Sequence, residues 1–289
     1  MKRKKILAAA ILLLVAVAVV FWYATAKPVV TSDAAPTSIR VDPDVETEPA
    51  TLDDVFRLAT EARNEIIRDV DDYTAVFTKQ ERDAAGVLGE SSSTLLKIQT
   101  RHRDGEWGTP MRVYMKWLSP DRLAGREVIW GEDIFGGMLR VRETGFLSMV
   151  PIPPLDPNGM LAMQGQKYPI SDIGQTRLIE KLIERGEADR GNPDVSVVIQ
   201  ENVPIDDKSM TLIQVKRDKP GGGEDDFSLA EIVIDNELKW IVRYQSFGWP
   251  ENGQTEPPLL ESIRFDDVEL NVGLTDEDFD PKNPEYGYP

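Results

Sequence analysis

At Tyr73 the apolar period of the chain changes from about 3.6 residues to about two, and the short period then persists, with one interruption, to Val268. Before the change, Leu52, Val55, Phe56, Ala59, Ala62, Ile66 and Ile67 recur at helical spacing behind a Thr51/Asp54 pair that reads as a capping box. The spacing predicts one amphipathic helix from Leu52 to Val70. After it, Tyr73, Ala75 and Phe77 alternate with Thr74, Val76 and Thr78, and Asp83 to Gly86 reads as a hairpin loop. Further strands are predicted at Ser93 to Gln99, Met111 to Leu118, Arg126 to Trp130, Met138 to Val141 and Phe146 to Val150, with turns at Gly105, Pro120 and Gly136-Gly137. Connections this short leave no room for parallel crossovers, so the strands form an antiparallel meander.

Pro151, Pro153, Pro154 and Pro157 end the meander, because proline cannot donate to a sheet ladder. A second helix is predicted from Gly174 to Arg185, with Leu178, Ile179, Leu182 and Ile183 on one face. Strands resume at Val195 to Glu201, Thr211 to Lys216, Leu229 to Asp235, Lys239 to Phe247 and Leu259 to Val268; Asp235 to Glu237 makes a tight hairpin. The tail from Gly273 to Pro289 reads as an ordered but irregular cover. About ten strands and two helices admit either a flat sandwich or a curved sheet. An amphipathic helix standing alone ahead of a long meander has to bury its stripe on a sheet face, which favours the second. The expected fold is mainly β (α+β): a strongly curved antiparallel sheet of about ten strands, a half-barrel, with helices on its concave side.

The N-terminus carries a different signal. Lys2 to Lys5 is basic, and Ile6 to Ala26 is a 21-residue apolar stretch, long enough to cross a hydrocarbon core of about 30 Å. Residues 1–26 are therefore expected to be a signal anchor that reaches the cytoplasmic membrane through 6–26, with the remainder in the periplasm. The Ala24-Thr25-Ala26 triplet also fits a cleavage site, which would release the remainder into the periplasm. Residues 27–50 mix Pro, Thr, Ser, Asp and Glu without an apolar period and read as a flexible tether to a domain over 51–289.

Charge and composition exclude several functions. The net charge is −17, and near −21 once the four cations ahead of the span are set aside, so phosphate backbones are repelled and no nucleic-acid partner is expected. There is no cysteine and a single histidine, His102, between two arginines in a predicted loop. The usual zinc or copper ligand set cannot be assembled, and Asp266-Asp267 and Asp276-Glu277-Asp278 lack the spaced oxygens of a calcium loop. Gly221-Gly222-Gly223 lacks the Lys-Ser/Thr of a phosphate loop and reads as a flexible turn. No nucleophile and base can be paired, so neither an enzyme nor a cofactor is expected.

What remains is apolar. Phe77, Met111, Val113, Met115 and Trp117 share alternating faces of their strands, as do Trp240, Val242 and Tyr244. Phe77, Met115, Trp117, Trp240 and Tyr244 are the candidate ligand-binding residues of an apolar cavity under the helices, suited to a lipid or lipoprotein acyl chain. The same rows are also what a filled core requires.

Tyr73 to Arg82, Val113-Tyr-Met-Lys-Trp-Leu-Ser-Pro-Asp-Arg-Leu-Ala-Gly-Arg-Glu-Val-Ile-Trp130 and Asn271 to Phe279 resemble the family known as domain of unknown function 1571, from about Leu52 to the end. That family is similar to the LolA-like periplasmic lipoprotein carriers, which implies a curved sheet closed by helices over an acyl-chain cavity. No catalytic residues come with the resemblance. Such carriers shuttle freely, and a retained anchor departs from this. A noncatalytic envelope protein binding a lipid or lipoprotein acyl chain is the expectation; the alternative is an envelope structural or interaction module with a fully packed core.

Overall fold

The computed structural model describes residues 37–39, 48–83, 86–101, 108–163, 166–221, 226–250 and 256–289. Helix α1 runs over Leu52–Asp69 and begins as the sequence predicts. Thr51 Oγ1 accepts from the Asp54 amide at 3.3 Å and Asp54 Oδ2 accepts from the Thr51 amide at 2.9 Å, so two of the first-turn donors are satisfied locally. Its stripe buries Val55, Phe56 and Ile66. Helix α2 spans Gln175–Glu187 and buries Ile179.

The strands are β1 (Glu48–Ala50), β2 (Asp72–Glu81), β3 (Ser92–Gln99), β4 (Arg112–Ser119), β5 (Glu127–Gly131), β6 (Arg140–Arg142), β7 (Val195–Ile205), β8 (Lys208–Arg217), β9 (Leu229–Asp235), β10 (Trp240–Phe247) and β11 (Leu259–Leu270). They form one eleven-stranded sheet in the order β1-β7-β8-β9-β10-β11-β2-β3-β4-β5-β6, antiparallel at every pairing. The two meanders on either side of the proline-rich segment are thus joined side by side through β11 and β2, with Phe265 opposite Phe77. The sheet is open, because β1 and β6 stand at its two ends. Three residues within the stretch read as a tether supply β1, which places Ala50 opposite Val197.

Two expectations are corrected. The segment from Phe146 to Val150 is no strand: the chain turns off at Gly145, φ 61°, into a short 3-10 helix over Gly145–Met149. The prolines that follow cannot extend a ladder there. Strands β7 and β8 also run on to meet in a two-residue hairpin at Asp206-Asp207, both with positive φ (51° and 63°), where a gap was expected after Glu201. Asp tolerates the left-handed region that such a turn demands, without the Asn-Gly pair that usually signals it.

Both faces of the sheet are covered. On the face beneath the helices, Tyr73, Ala75 and Phe77 of β2, Leu96 and Ile98 of β3, Val113 and Met115 of β4 and Ile213 and Val215 of β8 share one core with Val55, Ile66 and Ile179. On the opposite face the C-terminal tail brings Phe279 onto Tyr114 and Ile129, and Ile39 packs against Met210, Leu212 and Val233. The tail is the ordered, irregular cover its sequence suggests, with one 3-10 turn at Asp276–Phe279. Among the described residues no helix is long and apolar enough to cross a membrane, and the segment 6–26 lies outside them. His102, Gly105, Gly222 and Gly223 also lie outside the described residues.

Candidate functional site

Small side chains decide where the interior stays open. Helices α1 and α2 touch where Gly186 meets Phe56: a Cβ on Gly186 would lie 2.7 Å from the Phe56 ring. Arg63 and Glu180 tie the same two helices together by a 2.9 Å ion pair. Ala59 and Ala62 of α1 and Ala230 of β9 face one another without filling the space between, and a cavity of about 90 Å³ remains. Leu182 and Ile183 of α2 form its roof with Val55 of α1; Ile213, Ile232 and Ile241 of the sheet form its floor. A helix-interior Gly→Ala change ordinarily gains about 1 kcal/mol. Gly186→Ala is expected instead to lower the urea midpoint, because the ring of Phe56 has to shift, and to become stabilising once Phe56→Ala removes that ring.

One end of the cavity is polar. Arg185 and Tyr244 are both among the lining residues, and Arg185 Nη1 donates to Tyr244 Oη at 3.2 Å. Arg185 Nη2 donates to the Tyr168 hydroxyl. Behind them lies Glu261 of β11, 4 % exposed, with Oε2 at 3.6 Å from Arg185 and 3.9 Å from Lys167 and no hydrogen-bond partner. Burial pushes the Glu261 carboxyl above the usual range, against the pull of Arg185 and Lys167, and it pushes the Tyr168 hydroxyl up to about 12. Asp189, four residues after Arg185, also lines the cavity and accepts from Arg217 at 2.6 Å, while the Arg217 guanidinium lies 4.3 Å from the centre of the Phe227 ring.

These carboxyls set an expected pH dependence. Glu231 is also raised by burial, although the Ile39 amide and Gln214 bond to it. A carboxyl raised in the fold contributes stability that is complete below its unfolded pKa and is lost as pH rises through the folded value. Stability is therefore expected to fall as pH rises above the ordinary carboxyl range of about 4.3. Glu231→Gln should flatten that fall, as measured by thermal unfolding across the range. Asp133 works in the opposite direction: its hydrogen bond from Arg112 holds it below the usual range, so its contribution is lost only at more acidic pH.

A model of the family described as "Protein of unknown function (DUF1571)" matches residues 70–288. The chain belongs to this family. Helix α1, one wall of the cavity, precedes the stretch of this DUF1571 chain that the family model covers. No curated protein matches it in sequence. Among solved structures it is similar to lipoprotein LppX from Mycobacterium tuberculosis, with 12 % identity and a TM-score of 0.40, covering 77 % of this chain and 98 % of that one. It is also similar to a LolA superfamily protein from Nitrosomonas europaea, with 10 % identity and a TM-score of 0.33, covering 78 % and 96 % respectively.

The five residues singled out in the DUF1571 sequence separate in space. Tyr244 lines the cavity. Phe77, Met115 and Trp240 are buried in the continuous core, with Phe77 5.1 Å from Phe265 and Trp240 edge-on to Tyr73 at 4.9 Å. Trp117 is half-buried beside Arg126, 5.9 Å from ring centre to guanidinium. The row Trp240-Val242-Tyr244 is broken by a bulge between Ile241 and Arg243, so that Ile241, not Val242, joins Tyr244 at the cavity. The aliphatic rows Ile213-Val215 and Ala230-Ile232-Ile234, which alternate as clearly as the aromatic rows, supply most of the sheet side of the cavity. Arg185, Tyr168 and Glu261 carried no signal, since they come together from three separate segments. Asp276 pairs with Arg112, and Asp278 with Lys97 and the Thr275 amide; among the described residues no group of three or more potential ligands is placed to hold a metal.

Proposed function

We propose that the chain is a noncatalytic envelope protein that holds a lipid, or the acyl part of a lipoprotein, between the helix pair and the sheet. The observation that carries this reading is the lining: aliphatic side chains from α1, α2, β8, β9 and β10 surround a space that alanines and a glycine keep open. At about 90 Å³ the cavity is smaller than the roughly 300 to 1,000 Å³ of ordinary ligand sites, so an acyl chain enters as the helix pair lifts from the sheet. In this reading the sheet wraps the helices on its concave side, and the apolar face continues past the cavity to Phe77, Met115, Trp117 and Trp240. Residues 1–26 anchor the chain to the cytoplasmic membrane or direct its export, 27–50 serve as tether, and the domain stands in the periplasm.

A fluorescent fatty acyl probe titrated into the purified protein tests the reading. Ala59→Leu, which fills the cavity from α1, is expected to keep or raise stability by about 0.5 to 2 kcal/mol while weakening probe binding about tenfold or more. Equal binding by both proteins would place the probe elsewhere. A second reading, an envelope interaction module with a packed core, is favoured by the short helix Gly145–Met149, where Phe146 is 94 % and Met149 80 % exposed.

A further inference from the structure

The acyl reading leaves the polar end of the cavity unassigned. Glu261 stands directly opposite Glu81 in the pairing of β11 with β2, an arrangement of like charges that costs stability unless cations or protons offset it. The groups facing Glu261 come from four elements: Lys79 and Glu81 from β2, Lys167 and Tyr168 from the loop before α2, Arg185 from α2 and Tyr244 from β10. Lys79 lies 3.0 Å from Glu81, and the Lys167 amide donates to the same carboxylate at 3.3 Å. Three cations thus face two carboxylates, a local excess of positive charge in a chain whose net charge is −17. Arg185 is the member of this group that reaches both the apolar cavity and, with its side chain 22 % exposed, the solvent. Tyr244, also a lining residue, holds its hydroxyl 3.2 Å from Arg185 Nη1.

We propose that this end is a head-group site for a single-chain carboxylic acid, whose carboxylate sits on Arg185 and the Tyr168 and Tyr244 hydroxyls while a proton resides on Glu261. The inference rests on the acyl-binding reading and adds the chemistry of the head. A planar carboxylate matches the fork of a guanidinium, and two carboxyls can share one arginine when one of them is protonated and donates to the other. Glu261 already offers an oxygen that no donor occupies, and burial favours its protonated form. The bound carboxylate favours that protonated form further, so the fraction of Glu261 that is ionised in the free protein takes up a proton on binding, and affinity rises as pH falls through its titration.

Decanoate and decanol, titrated calorimetrically into the full chain between about pH 8 and about pH 6, separate the head from the tail, since a dissolved carboxylate stays ionised over that range. Decanoate is expected to bind about tenfold or more tighter than decanol, the effect of hydrogen bonds to a charged group, and to tighten further toward the lower pH. Arg185→Met should bring decanoate down to the level of decanol and leave decanol unchanged. Glu261→Gln should keep tight decanoate binding and abolish its pH dependence. The double variant Arg185→Met with Glu261→Gln leaves no buried charge unpaired at that position, and its retained decanol binding reports an intact fold. Equal affinity for the two ligands, pH-independent binding of decanoate, or tighter binding of decyl phosphate would overturn the head-group assignment while the cavity reading stands. Failure of both ligands to bind would remove both readings together.

Discussion

Trp240→Ala is expected to cost about 3 to 5 kcal/mol of unfolding free energy, the penalty for emptying a buried aromatic site. Trp240 is 1 % exposed, edge-on to Tyr73 at 74°, in the core that joins the helices to the sheet. Tyr73 in turn accepts from the Gln175 amide at the start of α2, and a Cβ on Gly174 would lie 2.9 Å from its hydroxyl. A void at Trp240 therefore loosens the seat of α2, and the surroundings cannot collapse cheaply because Gly174, with φ at 96°, fixes the approach. Trp117→Ala provides the comparison. Its ring is half-buried at the margin of the same core, with Arg126 over one face, so about 1 to 2 kcal/mol is expected. Urea unfolding of the two variants, with unchanged m-values, checks the difference; equal losses would mean that Trp117 is as deeply packed as Trp240.

Ending the chain after Asn271 is expected to abolish stable folding. The tail that follows holds the face opposite the helices. Asp72, buried at the start of β2, accepts from the Gly273 and Leu274 amides at 3.1 and 2.9 Å, and Glu127, 1 % exposed, accepts from the Gly287 amide at 2.9 Å. Tyr286 stacks on Tyr114 with ring centres 4.1 Å apart, and Lys97 lies within 6 Å of both rings. Without the tail, two buried carboxylates lose donors and Tyr114 and Ile129 face water, and each such loss costs on the order of 1 to 3 kcal/mol. Phe279→Ala alone should cost about 3 to 5 kcal/mol, since this ring is the tail's buried anchor against Tyr114 and Ile129. A truncated chain with a cooperative transition at the full-length midpoint would contradict this account of the tail.

Period and capping made most of the fold legible. The 3.6-residue stripe and the Thr51/Asp54 pair located α1, and strict alternation located the strands, because each row has one face to bury. Strand ends and side-to-side order were less legible. The Asp206-Asp207 turn relies on aspartates tolerating positive φ, and the joining of β11 to β2 pairs residues from 180 (Glu261 with Glu81) to 197 (Leu270 with Tyr73) positions apart, which no local period encodes. The candidate site was legible only in kind. An apolar space under the helices was expected, but large side chains mark the places where the core is full: Phe77, Met115 and Trp240 fill it, whereas Ala59, Ala62, Ala230 and Gly186 leave it open. The bulge at Val242 then moved Ile241 into the row. Two of the segments that carry the family resemblance meet at the tail, through Tyr114, Ile129 and Phe279, and not at the cavity.

The central claim is that an acyl chain lies between the helix pair and β8 to β10. A fatty acid bearing a photoactivatable diazirine along its chain, irradiated with the full-length protein and mapped by peptide mass spectrometry, tests this directly. The account predicts adducts on the cavity lining, at Leu58, Leu182 and Ile232, which excess unlabelled fatty acid suppresses and Ala59→Leu reduces. Adducts confined to Phe146 and Met149, or none that unlabelled ligand suppresses, would contradict it.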